Sequence, residues 1–66
     1  MEYTKSSGDF FDENKNFKGE LLKDIKVNSQ FKIWDKGSTR YILVKVLSGH
    51  FEGKSGYFPL KKIETK

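Results

Sequence analysis

The sequence predicts an all-β domain: a small barrel of about five antiparallel strands, carrying an irregular N-terminal arm. Three observations lead there. The segment Arg40–Leu47 is rich in β-branched residues and alternates with a period of two. Glycines at 49, 53 and 56 punctuate the residues after it at turn spacing. The chain has 66 residues and no cysteine, so it supports one core with no disulfide to staple it.

Taken in order, residues 1–19 are polar and rich in turn formers, which predicts an irregular arm. Phe10, Phe11 and Phe17 are too many rings for a free tail, and some of them are expected to pack on the domain. Residues 20–66 are assigned to the barrel. Glu20–Ile25 approaches it in extended form, with a helical turn as the competing reading. Ile25, Val27, Phe31 and Ile33 alternate with polar residues around Asn28-Ser29, which predicts two short strand pieces joined by a bend. Asp35–Thr39 is a loop. In the next strand Ile42, Val44 and Val46 form the core face, and Tyr41, Leu43, Lys45 and Leu47 form an unusually apolar outer face. Ser48–Ser55 connects to a returning strand at Gly56-Tyr57-Phe58. Pro59 lacks a ladder donor and ends it. Leu60-Lys61-Lys62 turns, and Ile63 re-enters. The expected core centre is Ile33, Ile42, Val44, Val46, Phe58 and Ile63.

Charge narrows the function. The net charge is +4, unevenly spread. Residues 1–24 hold six acids and four lysines, giving −2, whereas residues 25–66 hold nine bases and three acids, giving +6. A basic half attracts polyanions. Twelve of the thirteen bases are lysine, however, and the forked guanidinium suited to phosphate and guanine occurs only at Arg40. Charges interrupt the apolar segments, so no membrane-spanning helix is expected. Met1–Lys5 lacks the apolar stretch of a secretory signal, so a cytoplasmic location is expected unless the chain is excised from a secreted parent.

Two stretches carry a family resemblance. Ile25–Ile33 resembles the diverging turn and second strand of SH3 domains, with Asn28 at the glycine position and Ser29 at the acidic one. Gly53–Glu64 resembles their closing stretch: a glycine, an aromatic-apolar pair, a proline, a short 3₁₀ turn and a final apolar residue. The resemblance implies an SH3-like barrel of the divergent bacterial kind that binds a protein or peptide partner. SH3 domains read proline-rich peptides through an aromatic groove. Tyr41 stands at the groove tryptophan, Pro59 matches the groove proline, and Lys62 replaces the tyrosine of the closing turn. The expected ligand-binding set is Tyr41, Leu43, Tyr57, Pro59 and the rim aromatic Trp34. Asp9, Asp12 and Glu13 stand in for the acidic loop. This reading requires an exposed apolar strip along the Tyr41–Leu47 strand.

Val44–Phe58 also resembles the KOW motif of ribosomal and transcription-factor barrels. That resemblance implies an alternative, a nucleic-acid-binding barrel using Lys45, Lys54, Lys61 and Lys62. Bacterial SH3-like repeats also target cell walls, a third possibility. No cofactor or metal is expected: His50 is the only histidine and has no cysteine to join it. No nucleophile or acid–base constellation is present in the sequence, so the expected protein is not an enzyme.

Overall fold

A computed structural model describes all residues, 1–66, as strands and tight turns, with no helix long and apolar enough to cross a membrane. The strands are β1 (Glu2–Thr4), β2 (Gly8–Asp12), β3 (Phe17–Leu21), β4 (Lys26–Lys36), β5 (Thr39–Val46), β6 (Ser55–Pro59) and β7 (Ile63–Thr65). A 3₁₀ turn, Leu60–Lys62, joins the last two. They form one antiparallel sheet in the order β3-β2-β6-β5-β4-β1-β7. The count is seven strands, not five, and the end strands β3 and β7 do not pair with each other.

The extra strands come from the stretch expected to be an irregular arm. β1 lies between β4 and β7, and β2 lies between β3 and β6. β2 is apolar on both faces, and its partner β3 carries a bulge. Phe10 pairs with Gly19 and Phe11 with Phe17, leaving Lys18 extra on β3. Adjacent residues of a strand face opposite ways, so with Phe10 and Phe11 both apolar no polar–apolar alternation marks β2. Phe10 joins the main core and Phe11 the other face.

The main core is Phe10, Leu21, Val27, Ile42, Val44, Val46 and Phe58, with Ile25, Phe51 and Ile63 packed against it. Ile42, Val44, Val46 and Phe58 lie where expected, and Ile63 is half-buried. Ile33 does not belong: it is 44% exposed. Ile33 lies beyond the Lys26–Val27 end of β4 that pairs with β1, so that side of it has no strand, and a second bulge precedes it. Residues 25–33 are not two strand pieces bent at Asn28-Ser29; from Lys26 they belong to the single strand β4, interrupted later. Ser29 pairs with Val44 and Ile33 with Ile42, so Gln30, Phe31 and Lys32 stand opposite Leu43 alone. The left-handed residues nearby are Asp24 (φ 64°) and Phe31 (φ 58°), not Asn28. The sharp turn therefore precedes β4 at Asp24, a residue type that tolerates this conformation.

Thr4 holds that turn. Its side chain is fully buried, donates to the Leu22 carbonyl at 2.7 Å and accepts the Ile25 amide at 2.9 Å. Its own amide donates to the Ile25 carbonyl and its carbonyl accepts from Asp24. Replacing Thr4 with valine keeps the shape and strands two partly buried backbone groups, each worth about 1–3 kcal/mol when left unpaired away from water. Thr4→Val is expected to lower stability by about 2–3 kcal/mol, whereas Thr4→Ser, which keeps the hydroxyl, is expected to lose less. Urea denaturation followed by circular dichroism compares them. Equal stability of the valine and serine variants would refute the hydroxyl's role.

Candidate functional site

The face of the sheet opposite the main core carries the predicted ligand-binding residues. Alternation along β5 sends Tyr41 and Leu43 to this side, and register aligns Trp34 with Tyr41, Tyr57 with Leu43, and Pro59 with Tyr41. Sequence reasoning thus names residues that do converge. Their state differs from the expectation. Tyr41, Leu43 and Tyr57 are 7%, 8% and 2% exposed, Pro59 is buried, and only Trp34 is half-open. The exposed strip expected of a peptide groove is absent.

Phe11 covers it. Its ring meets Trp34 at 5.2 Å and Tyr41 at 5.3 Å, both edge-on, while Trp34 contacts Tyr57 at 5.3 Å. Edge-to-face contacts at these distances are favourable for aromatic quadrupoles. The result is a second small core of Phe11, Tyr41, Leu43 and Tyr57, closed at one side by Trp34. Lys15 Nζ lies 5.6 Å from the Trp34 ring and Lys36 Nζ 5.8 Å from the Phe11 ring, and both ammoniums shield π faces from solvent. Phe17 leans on Phe11 at 5.6 Å but stays 61% exposed.

What remains open lies at the Pro59 end. A concavity of about 380 Å³ is lined by Asp9, Glu20, Thr39, Tyr41, Pro59 and Lys61, with Ser7, Gly8 and Lys62 completing the wall. Asp9 and Glu20 are direct cross-strand partners on the β2–β3 hairpin. Like charges placed this way repel. Neither has an ion-pair partner, since the salt bridges are Lys18–Asp12 and Arg40–Asp35. Burial, and then the charge of Asp9, pushes the Tyr41 hydroxyl above its ordinary pKa, so the phenol stays protonated. Beside these groups Lys62 Nζ donates to the Ser7 carbonyl at 2.9 Å, which holds it against the start of β2. Of the acids expected to face a ligand, Asp9 does so here. Asp12 and Glu13 instead line a separate cleft with Phe10, Phe51 and Lys54. Asp12 accepts the Asn14 and Asn16 amides at 2.9 Å, and these bonds hold its carboxyl below the usual range.

The four lysines of the nucleic-acid alternative do not gather. Lys45 pairs with Ser55, next to Lys54, at one end of β6, whereas Lys61 and Lys62 follow its other end. Phe51, at the tip of the β5–β6 connection, folds back against Phe10 at 4.8 Å. His50 is exposed, and nowhere do three His, Cys, Asp or Glu side chains converge as metal ligands.

No family model, curated protein or solved structure matches this chain. The site is therefore interpreted from its own chemistry. Sequence reasoning missed Glu20 and Thr39, which enter the concavity only through strand pairing. The one available signal was the spacing of Asp9 and Glu20 about a turn-rich centre, Asp12–Asn16, which marks a hairpin.

Proposed function

We propose that this chain is a non-catalytic interaction module, an SH3-like barrel open at one seam, that binds an extended segment of a protein partner. Support for the fold reading comes from the strand order and the long β2–β3 hairpin. Further support comes from the 3₁₀ turn between the last two strands, and from β4 bridging β1 and β5. The observation that carries the function is the concavity that gathers Tyr41 and Pro59 with the acids Asp9 and Glu20 and the lysines Lys61 and Lys62. A flat, polar-rimmed floor of this kind suits an extended peptide, whose backbone groups need partners and whose basic side chain would relieve the Asp9–Glu20 repulsion. Trp34 borders the same face and extends it.

The test is a ¹⁵N amide-shift screen of the intact chain against three ligands: a proline-rich peptide carrying a basic residue, an oligonucleotide and a cell-wall fragment. The peptide is expected to move Asp9, Glu20, Thr39 and Lys61. Neutralising the acids, Asp9→Asn with Glu20→Gln, should weaken that binding about tenfold, the effect of losing roughly 1.4 kcal/mol of charge-assisted contact. Shifts produced only by the oligonucleotide, centred on Lys45 and Lys54, would replace this reading with the nucleic-acid one.

A further inference from the structure

Phe31 is the most exposed large apolar side chain, at 85%, and it stands on left-handed backbone at φ 58°. Bulky L-residues are strained there because Cβ crowds the following carbonyl. The bulge that creates the position is fixed, with the Phe31 amide donating to Ser29 Oγ at 3.4 Å. Nothing inside the chain gains from an aromatic ring at this point. Asparagine or glycine would relax the backbone, and a polar side chain would suit the solvent. A strained, rigidly presented and uncovered ring is what a partner contact requires.

The same chain has a pocket for such a ring. Leu21, Leu22, Ile25, Gly49, His50 and Phe51 line a concavity of about 270 Å³ between the β3–β4 turn and the β5–β6 connection. A dry cavity of about 150 Å³ already accepts benzene. Gly49 keeps one wall thin: it has φ 80°, and a Cβ there would stand 2.9 Å from Ile25 Cδ1. Leu22, 59% exposed, lies at the lip. The surroundings are complementary in charge, since Lys32 follows Phe31 and Glu20 borders the pocket.

We infer that this pocket receives Phe31 from a second copy of the chain. Reciprocal exchange closes a two-fold dimer with two ring-in-pocket contacts, and closure limits the assembly to two copies. The inference goes beyond the peptide reading and shares only Glu20 with it.

Sedimentation equilibrium of the intact chain over a concentration series tests it. The parent is expected to move from monomer to dimer with rising concentration. Phe31→Asn should weaken dimerisation at least tenfold yet melt higher at low concentration, because asparagine tolerates the left-handed backbone. Leu22→Glu, a change at an exposed lip that leaves the fold alone, should weaken it similarly. A parent that stays monomeric up to its solubility limit, species growing past two copies, or variants that dimerise like the parent would each overturn the proposal. Glu20 borders both sites, so peptide binding is compared on Phe31→Asn, which adds no charge and lies outside the Asp9–Pro59 concavity, at concentrations where the parent is monomeric; there it stays at the parent level. Failure of one proposal is thereby distinguished from failure of the other.

Discussion

Gly56→Ala is expected to destabilise the domain by about 3 kcal/mol or more, the upper range for overpacking. Gly56 lies in β6 between Val44 of β5 and Asp12 of β2, so its backbone is held on both sides. A methyl group there would collide with the Phe11 carbonyl and stand 2.6 and 2.9 Å from two atoms of the Phe10 ring. The carbonyl is main chain and cannot rotate away. Phe10 is 1% exposed and belongs to the main core, so moving its ring disturbs that packing. Relief requires β2 to separate from β6, which opens both cores. A 66-residue domain has a total stability of roughly 3–10 kcal/mol, so this one methyl removes a third of it or all of it. Thermal melting should shift down by about 12–24 °C, from roughly 4–8 °C for each kcal/mol. A shift of less than about 4 °C would mean that β2 docks more loosely than its burial implies.

The residues that make Gly56 indispensable are also those the sequence concealed. β5 is legible because it carries no extra residue itself, pairs regularly with β6, and its β-branched residues alternate without interruption. β2 and β4 are not: β2 puts apolar rings on both faces, and β4 is interrupted by a bulge of two extra residues. Ile33 keeps the face of its partner Ile42 but lies where β4 has no strand on its other side, so alternation alone overstates its burial; Phe10 and Phe11 read as a loop pair and are core residues of two different faces. Local pattern carries no information on which distant strand will supply the compensating residue. The candidate site suffered the same way. Tyr41, Leu43, Tyr57, Pro59 and Trp34 are placed together by β4, β5 and β6, so their convergence could be anticipated. Their coverage could not, since the covering ring comes from β2 and the acids of the concavity come from the β2–β3 hairpin.

Sequence separation also decides how the charges divide. The −2 and +6 halves suggest a molecule with an acidic and a basic end, yet the acidic hairpin folds back beside Lys61 and Lys62. The basic surface is split by this hairpin. A polyanion approaching the Lys61 end would meet Asp9 and Glu20 within the range over which charges act at physiological salt, about 8 Å. This arrangement favours a ligand with alternating or basic charge over a continuous phosphate backbone.

Phe11→Ala is the second large effect, and it separates stability from recognition. Phe11 is 8% exposed and touches Trp34, Tyr41 and Phe17 through edge-on ring contacts. Truncating a buried phenylalanine costs about 3–5 kcal/mol, and the lower figure applies here because the cluster lies near the surface and can partly collapse. The loss is dominated by area and cavity. The variant is expected to remain folded only if the main core suffices, which Phe10, Leu21 and Phe58 make plausible through near-complete burial. In that folded fraction Tyr41, Leu43 and Tyr57 would be uncovered, creating the apolar strip that the alternation of β5 predicts. Fluorescence of Trp34, the single tryptophan, would shift to the red as Phe11 no longer shields it. Peptide affinity measured on folded protein then discriminates between two roles for Phe11. If Phe11 is a lid over a latent groove, affinity rises when it is removed. If the recognition surface is the concavity at Asp9, Glu20 and Pro59, affinity falls or is unchanged, because the floor under Tyr41 loosens while the walls persist. The second outcome is expected, since the concavity is formed with Phe11 in place. A gain in affinity would move the binding surface back to the buried aromatic strip.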